Sequence, residues 1–182
     1  MRRRYVFLGF VLLAGCSGPD LPFLPAAPPG PYRLGAGDRL TVRIYDQPQL
    51  SGAYDVDDSG MLDLPLLGLV PAAGLTVDGL AAAITKGLQD RQLILHPSVA
   101  VEVSAYRPFY ILGEVNAPGQ YPYRPGMTVL TAISVAGGFT PRAVQAYVGV
   151  TRVSGGRSAT YRAPPFALVQ PGDVLEVFER RF

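Results

Sequence analysis

The sequence has 182 residues, one cysteine, and 16 Lys plus Arg against 14 Asp plus Glu, for a net charge of +2. That length suffices for one ordinary domain or two small ones, and the even charge balance excludes the clustered positive surface that nucleic acid requires. A lone cysteine excludes an internal disulfide and a multi-thiolate metal site, so no metal or cofactor is expected and packing alone must hold the fold.

Arg2, Arg3 and Arg4 form a positive cluster, Tyr5 to Ala14 an apolar run, and "LAGC" closes the segment at Leu13 to Cys16. This is the pattern of a secretory signal. The apolar run of about ten residues is half of the roughly 20 that a membrane-spanning helix needs. The small residues before Cys16 resemble a bacterial lipobox. The resemblance implies that residues 1–15 are removed as a signal peptide and that Cys16 becomes a lipidated first residue. Each buried methylene of its acyl chains would add about 0.8 kcal/mol to membrane binding. Ser17, where an inner-membrane retention signal would favour Asp, implies the outer membrane, with the folded part on its periplasmic face. Loss of Arg2 to Arg4 leaves 13 basic residues against 14 acidic ones, a net charge of −1.

Residues 16–31 continue as a proline-rich stretch that predicts a semi-rigid, extended tether. A first folded unit is expected over 32–105. The Gly37-Asp38 turn launches a strand in which Leu40, Val42 and Ile44 alternate with polar positions. "YDVDDSGMLDLPLLGLV" predicts a hairpin about Asp58-Ser59-Gly60, with Leu62, Leu64 and Leu66 on one face and Pro65 marking an edge or bulge. Thr76 caps a helix with Asp78 in its first turn, and Val77, Leu80, Ala81, Ile84 and Leu88 share one face. Gly79 and Gly87 each cost that helix about 1 kcal/mol of propensity. Val99, Val101 and Val103 complete the unit as a strand.

A second unit is expected over 106–182. "FYILGEV" is a strand, Asn116, Pro118 and Gly119 build a turn after it, and Thr128 caps a short helix stopped by Gly137-Gly138. A hairpin about "SGG" and a last strand from "GDVLEV" follow. A small mixed sheet crossed by one helix, the β-grasp arrangement, fits this order, giving an α+β protein overall. "GDRLTV" at 37–42 and "GDVLEV" at 172–177 form a weak internal echo.

From "YRLGAGDRLTVRIYD" through the Asp58-Ser59-Gly60 turn, "LPLLG" and "HPSVAVEV", the first unit resembles the polysaccharide biosynthesis/export domain of outer-membrane polysaccharide export proteins. "FYILGEVNAPGQYPYRPGMTVLTAISVAGGFTPRA" resembles the soluble-ligand-binding β-grasp domain that follows it in that family. The resemblance implies a homo-oligomeric periplasmic ring that receives capsular or exopolysaccharide from an inner-membrane chain-length regulator and polymerase and passes it outward, without enzymatic activity. Larger members end in a membrane-spanning helix. "FERRF" at 178–182 implies the short form, which works with a separate outer-membrane β-barrel.

Tyr106, Tyr110, Tyr121 and Tyr123 gather around the start of the second unit with Arg107 and Arg124. Aromatic faces with polar tips suit sugar contact and protein interfaces, and equally well half-buried strand positions. Glu114 and Arg142 are candidates for pairing across subunits of a ring. Two other functions are compatible with the sequence. A glycan hydrolase would require a pair of carboxylates converging in a cleft, for which Asp55, Asp57 and Asp58 are candidates against the plainer reading of a solvated turn. A monomeric ligand-binding lipoprotein is the other. His96, beside Pro97, has no partner for metal or triad chemistry and reads as a turn residue.

Overall fold

The computed structural model describes residues 21–26 and 30–180. The signal segment and Cys16 lie outside the described residues, as does Arg181. Strand β1 (Arg39–Ile44) leaves the Gly37-Asp38 turn with Leu40, Val42 and Ile44 buried. It is the centre of a three-stranded sheet, antiparallel to β2 (Gly52–Asp55) on one side and β5 (Val99–Ala105) on the other. A separate antiparallel pair is formed by β3 (Met61–Leu64) and β4 (Gly68–Pro71).

This pairing corrects the expected hairpin. The Asp58-Gly60 turn exists, but pairing across it is limited to the isolated Val56–Leu62 bridge beyond the end of β2 and the Asp57 N–H donated to the Met61 carbonyl at 2.9 Å, and β3 takes β4 as its ladder partner. Pro65 has no N–H to give a ladder, so the strand stops there, and Leu66 turns at φ 65° with 68% of its surface exposed. Leu62 and Leu64 are buried as expected; Leu66 is not.

Helix α1 (Val77–Asp90) begins as predicted, the Thr76 hydroxyl accepting the Gly79 N–H at 3.1 Å. Leu80, Ile84 and Leu88 are buried against the sheet, each worth about 1.5–3 kcal/mol by transfer from water. Gly87 has a packing role that its propensity hides. A Cβ there would lie 2.9 Å from Cδ1 of Leu67, so the missing side chain lets Leu67 close on the helix.

The second unit contains β6 (Phe109–Gly113), β7 (Gly119–Tyr121), α2 (Val129–Val135), β8 (Val148–Ser154), β9 (Arg157–Ala163) and β10 (Val174–Val177). Its sheet runs β7-β6-β10-β8-β9. The last strand enters the middle, parallel to β6 and antiparallel to β8. Val129, Ala132 and Ile133 of α2 pack on this mixed sheet, giving the β-grasp arrangement. Thr128 and Thr131 form a reciprocal cap, each side chain accepting the other's backbone N–H. One hydrophobic core draws on residues between Leu34 and Val101, and the other on residues between Phe109 and Val177.

Residues 21–26, expected within a semi-rigid, extended tether, are extended and lie on the second unit. Arg162 N donates to the Pro22 carbonyl at 2.7 Å, and Leu24 N donates to the Arg162 carbonyl at 2.9 Å, placing Phe23 in a parallel bridge with Arg162. Leu24 packs against the second core, and the Arg162 guanidinium lies 3.9 Å from the Tyr147 ring centroid. The segment covers part of the β9 edge, whose backbone groups would otherwise be open to another chain.

Candidate functional site

The internal echo is a repeated structural device. Asp38 and Asp173 are the buried charged residues among those described, at 0% and 1% exposure. In each turn the carboxylate accepts a backbone N–H from three residues earlier, Gly35 at 2.9 Å and Gln170 at 2.8 Å. The aspartate N–H returns the bond to the carbonyl of that same residue, at 3.1 Å in both turns. A buried carboxylate also needs a cation, and each has an arginine. Arg152 donates to Asp173 through Nε at 2.8 Å and a terminal nitrogen at 2.7 Å. Arg107 gives Asp38 its backbone N–H at 3.0 Å and a guanidinium contact at 3.4 Å.

Arg107 also ties the two units together. From the link between them its guanidinium donates to the Tyr32 hydroxyl at 3.0 Å in the first unit and to the Pro171 carbonyl at 3.1 Å in the second. The Tyr32 hydroxyl in turn donates to Asp38 at 2.7 Å. Beside this junction Tyr106 packs edge-on between two tyrosines, at 5.0 Å from Tyr32 and 5.5 Å from Tyr123 between ring centroids. A cleft of about 480 Å³ opens against them, lined by Tyr32, Arg33 and Arg107 together with Tyr123, Ser154, Leu168 and Gln170. A second groove of about 450 Å³ is lined by Tyr121, Arg124, Met127, Thr131 and Val135.

Burial, and then the hydrogen bond to Asp38, push the Tyr32 hydroxyl far above the usual tyrosine value of 10.0. The folded chain therefore keeps a proton that the unfolded chain loses as pH rises past that value. This contribution is complete below pH 10.0 and falls away above it. Tyr32 is expected to be the last tyrosine to ionise in an alkaline absorbance titration, and Tyr32→Phe should remove that final step; its persistence would assign it to another ring.

The candidate residues do not form one site. Tyr123 lines the cleft, whereas Tyr121 and Arg124 line the groove. Tyr110 is exposed on β6 and lines neither. Glu114 accepts a hydrogen bond from the Thr140 hydroxyl, and Arg142 pairs with Glu179, so both have partners within the chain. Cys16 lies outside the described residues. Tyr32, Arg33 and Gln170, which complete the cleft, are not singled out by sequence; the paired Gly-Asp turns are the signal that leads to them.

The acidic group near the first turn is otherwise occupied. Asp55 binds Arg39 with two hydrogen bonds, at 2.7 and 3.0 Å, and that bond holds its carboxyl below the usual range. Asp57 accepts from the Ser59 hydroxyl and from the Ser59 and Met61 N–H groups. Neither cleft nor groove has an Asp or Glu in its lining among the described residues, so the carboxylate pair that glycan hydrolysis needs is not assembled there. His96 is exposed in the loop before β5.

The sequence profile of the polysaccharide biosynthesis/export protein family matches residues 26–104, and that of the SLBB domain matches residues 108–162. The chain is 43% identical over 123 residues to the exopolysaccharide production protein ExoF of Rhizobium meliloti, covering 59% of this chain and 28% of that protein. It is 31% identical over 186 residues to the EPS I polysaccharide export outer membrane protein EpsA of Ralstonia nicotianae, covering 82% of this chain and 48% of the relative. The polysialic acid transport protein KpsD of Escherichia coli is 30% identical over 114 residues, covering 60% and 20%. The chain thus spans about half or less of the length of these relatives. It carries a polysaccharide biosynthesis/export domain followed by an SLBB domain.

Proposed function

We propose that this protein exports a capsular or extracellular polysaccharide, acting as a conduit and not as an enzyme. The observation that carries the reading is the polysaccharide biosynthesis/export domain followed by an SLBB domain, together with similarity to relatives named for polysaccharide export and transport. A lipid on Cys16 anchors the chain to the periplasmic face of the outer membrane. Copies assemble into a ring, which receives polymer from an inner-membrane chain-length regulator and polymerase complex and delivers it to a separate outer-membrane β-barrel. No described helix is long and apolar enough to cross a membrane.

Tyr121, Tyr123 and Arg124 are proposed to meet the polymer, and Tyr110 to face polymer or a neighbouring subunit. Glu114 and Arg142 would contribute across a subunit boundary only by exchanging their present partners. The Arg142–Glu179 pair is surface-exposed, and such pairs are worth only about 0–1 kcal/mol, so exchange is inexpensive. Tyr123→Ala with Arg124→Ala is expected to lower surface polymer several-fold at an unchanged protein level, measured by polymer staining beside an immunoblot. Unchanged export would remove both residues from the polymer path.

A further inference from the structure

We propose that the cleft between the two units binds a carboxylate-bearing sugar residue of the conducted polymer. This rests on the export reading and deepens it by naming the polymer's chemistry and the place where it is held.

At about 480 Å³, the cleft falls in the roughly 300–1,000 Å³ range of small-molecule sites. Its lining includes two cationic residues, Arg33 and Arg107, and no Asp or Glu among the described residues. The two arginines differ in what they can offer. Arg107 is held by Asp38, Tyr32 and the Pro171 carbonyl, so its charge is compensated by a carboxylate buried behind it. Arg33 is exposed and donates to the Gly74 carbonyl at 2.7 Å. A guanidinium has five N–H groups in a planar fork that matches a carboxylate. Arg33 is therefore the group that selects an anion, while Arg107 fixes the wall.

That wall is pre-formed. Tyr106 holds Tyr32 and Tyr123 edge-on from between them, and the Tyr32 hydroxyl is locked by Asp38 and Arg107. Ligand binding then needs little reordering of these rings, which lowers the entropic cost. Tyrosine rings with polar tips suit the mixed C–H and O–H surface of a sugar, and the lining also includes Ser154 and Gln170, residue types whose hydroxyl and amide groups can bond sugar hydroxyls. A small inorganic anion would use the arginine and leave this wall unused. An uncharged sugar would use the wall and forgo the cation.

The test uses the full mature chain in detergent micelles, titrated calorimetrically with a galacturonate tetrasaccharide and with its methyl ester, which has the same ring scaffold without charge. The acid is expected to bind about tenfold more tightly than the ester, the scale of one charge-assisted hydrogen bond. Added salt should reduce the difference. Arg33→Gln should abolish it with the unfolding midpoint unchanged, whereas Arg91→Gln, at the far end of α1, should preserve it. Equal binding of acid and ester, binding of neither, or a preference that survives Arg33→Gln would overturn the proposal. Measuring surface polymer in cells lacking the protein separates the two levels. Normal export there removes the export reading itself, whereas blocked export without acid preference in vitro removes only the cleft assignment.

Discussion

Asp173→Ala is expected to destabilise the second unit by about 3–5 kcal/mol, the cost of leaving one member of a buried ion pair behind. The carboxylate is 1% exposed and its partner Arg152 only 11%, so the guanidinium left by the substitution stays largely out of water without its counter-charge, with the Leu168 carbonyl at 3.2 Å as its remaining acceptor. The Gln170 N–H loses its acceptor at the same time. Asp38→Ala should cost less, about 1–3 kcal/mol, because the Arg107 side chain is 30% exposed and can be hydrated. Replacing the pair together, Asp173→Leu with Arg152→Met, should recover much of the loss, since it removes the stranded charge. Urea unfolding followed by circular dichroism measures all three variants. A loss for Asp173→Ala no greater than that for Asp38→Ala would contradict the burial argument.

The second large effect is expected at Gly113. Its φ of +84° is a left-handed conformation, and a Cβ would fall 2.1 Å from the carbonyl oxygen of Val177. For Gly113→Ala the backbone conformation costs about 1–2 kcal/mol, and displacing a packed neighbour adds about 1–3 kcal/mol. Val177 is Gly113's register partner and its carbonyl accepts the Glu114 N–H, so the clash falls on the parallel junction between β6 and β10. Gly119, further along in the same stretch, is the internal control. It has no positive φ, and a Cβ there would meet nothing within 4 Å, so Gly119→Ala should be nearly neutral in the same unfolding assay. Equal effects at the two glycines would sink this explanation.

The same stretch shows what sequence could and could not convey. "ILGEVNAPGQY" is legible as a strand and a reversal because an apolar run ends at turn-forming residues. Gly119 stands out as the structural glycine because it follows Pro118, yet the constraint belongs to Gly113, whose neighbour Val177 is remote in sequence. The reversal is held by Asn116, whose amide donates to the Gly137 carbonyl at 2.7 Å beyond the end of α2. Both helices are legible at their first residues, because Thr76 and Thr128 cap them through local bonds. The partner of β3 is not, since either flanking strand satisfies the same alternation and only the turn at Pro65-Leu66 decides between them. The site is legible in part. Tyrosines and arginines stand close together in the chain, but their division between cleft and groove depends on how the two units meet. Arg107 fixes that meeting through contacts 64 to 75 residues away in sequence.

Passage of polymer to the cell surface through this protein, as proposed, is read directly from the ratio of surface to total polymer in cells with and without it. Deletion should leave synthesis running while surface polymer falls and cell-retained polymer rises, and the intact chain supplied in trans should reverse both. Surface polymer in normal amount after deletion would contradict the claim.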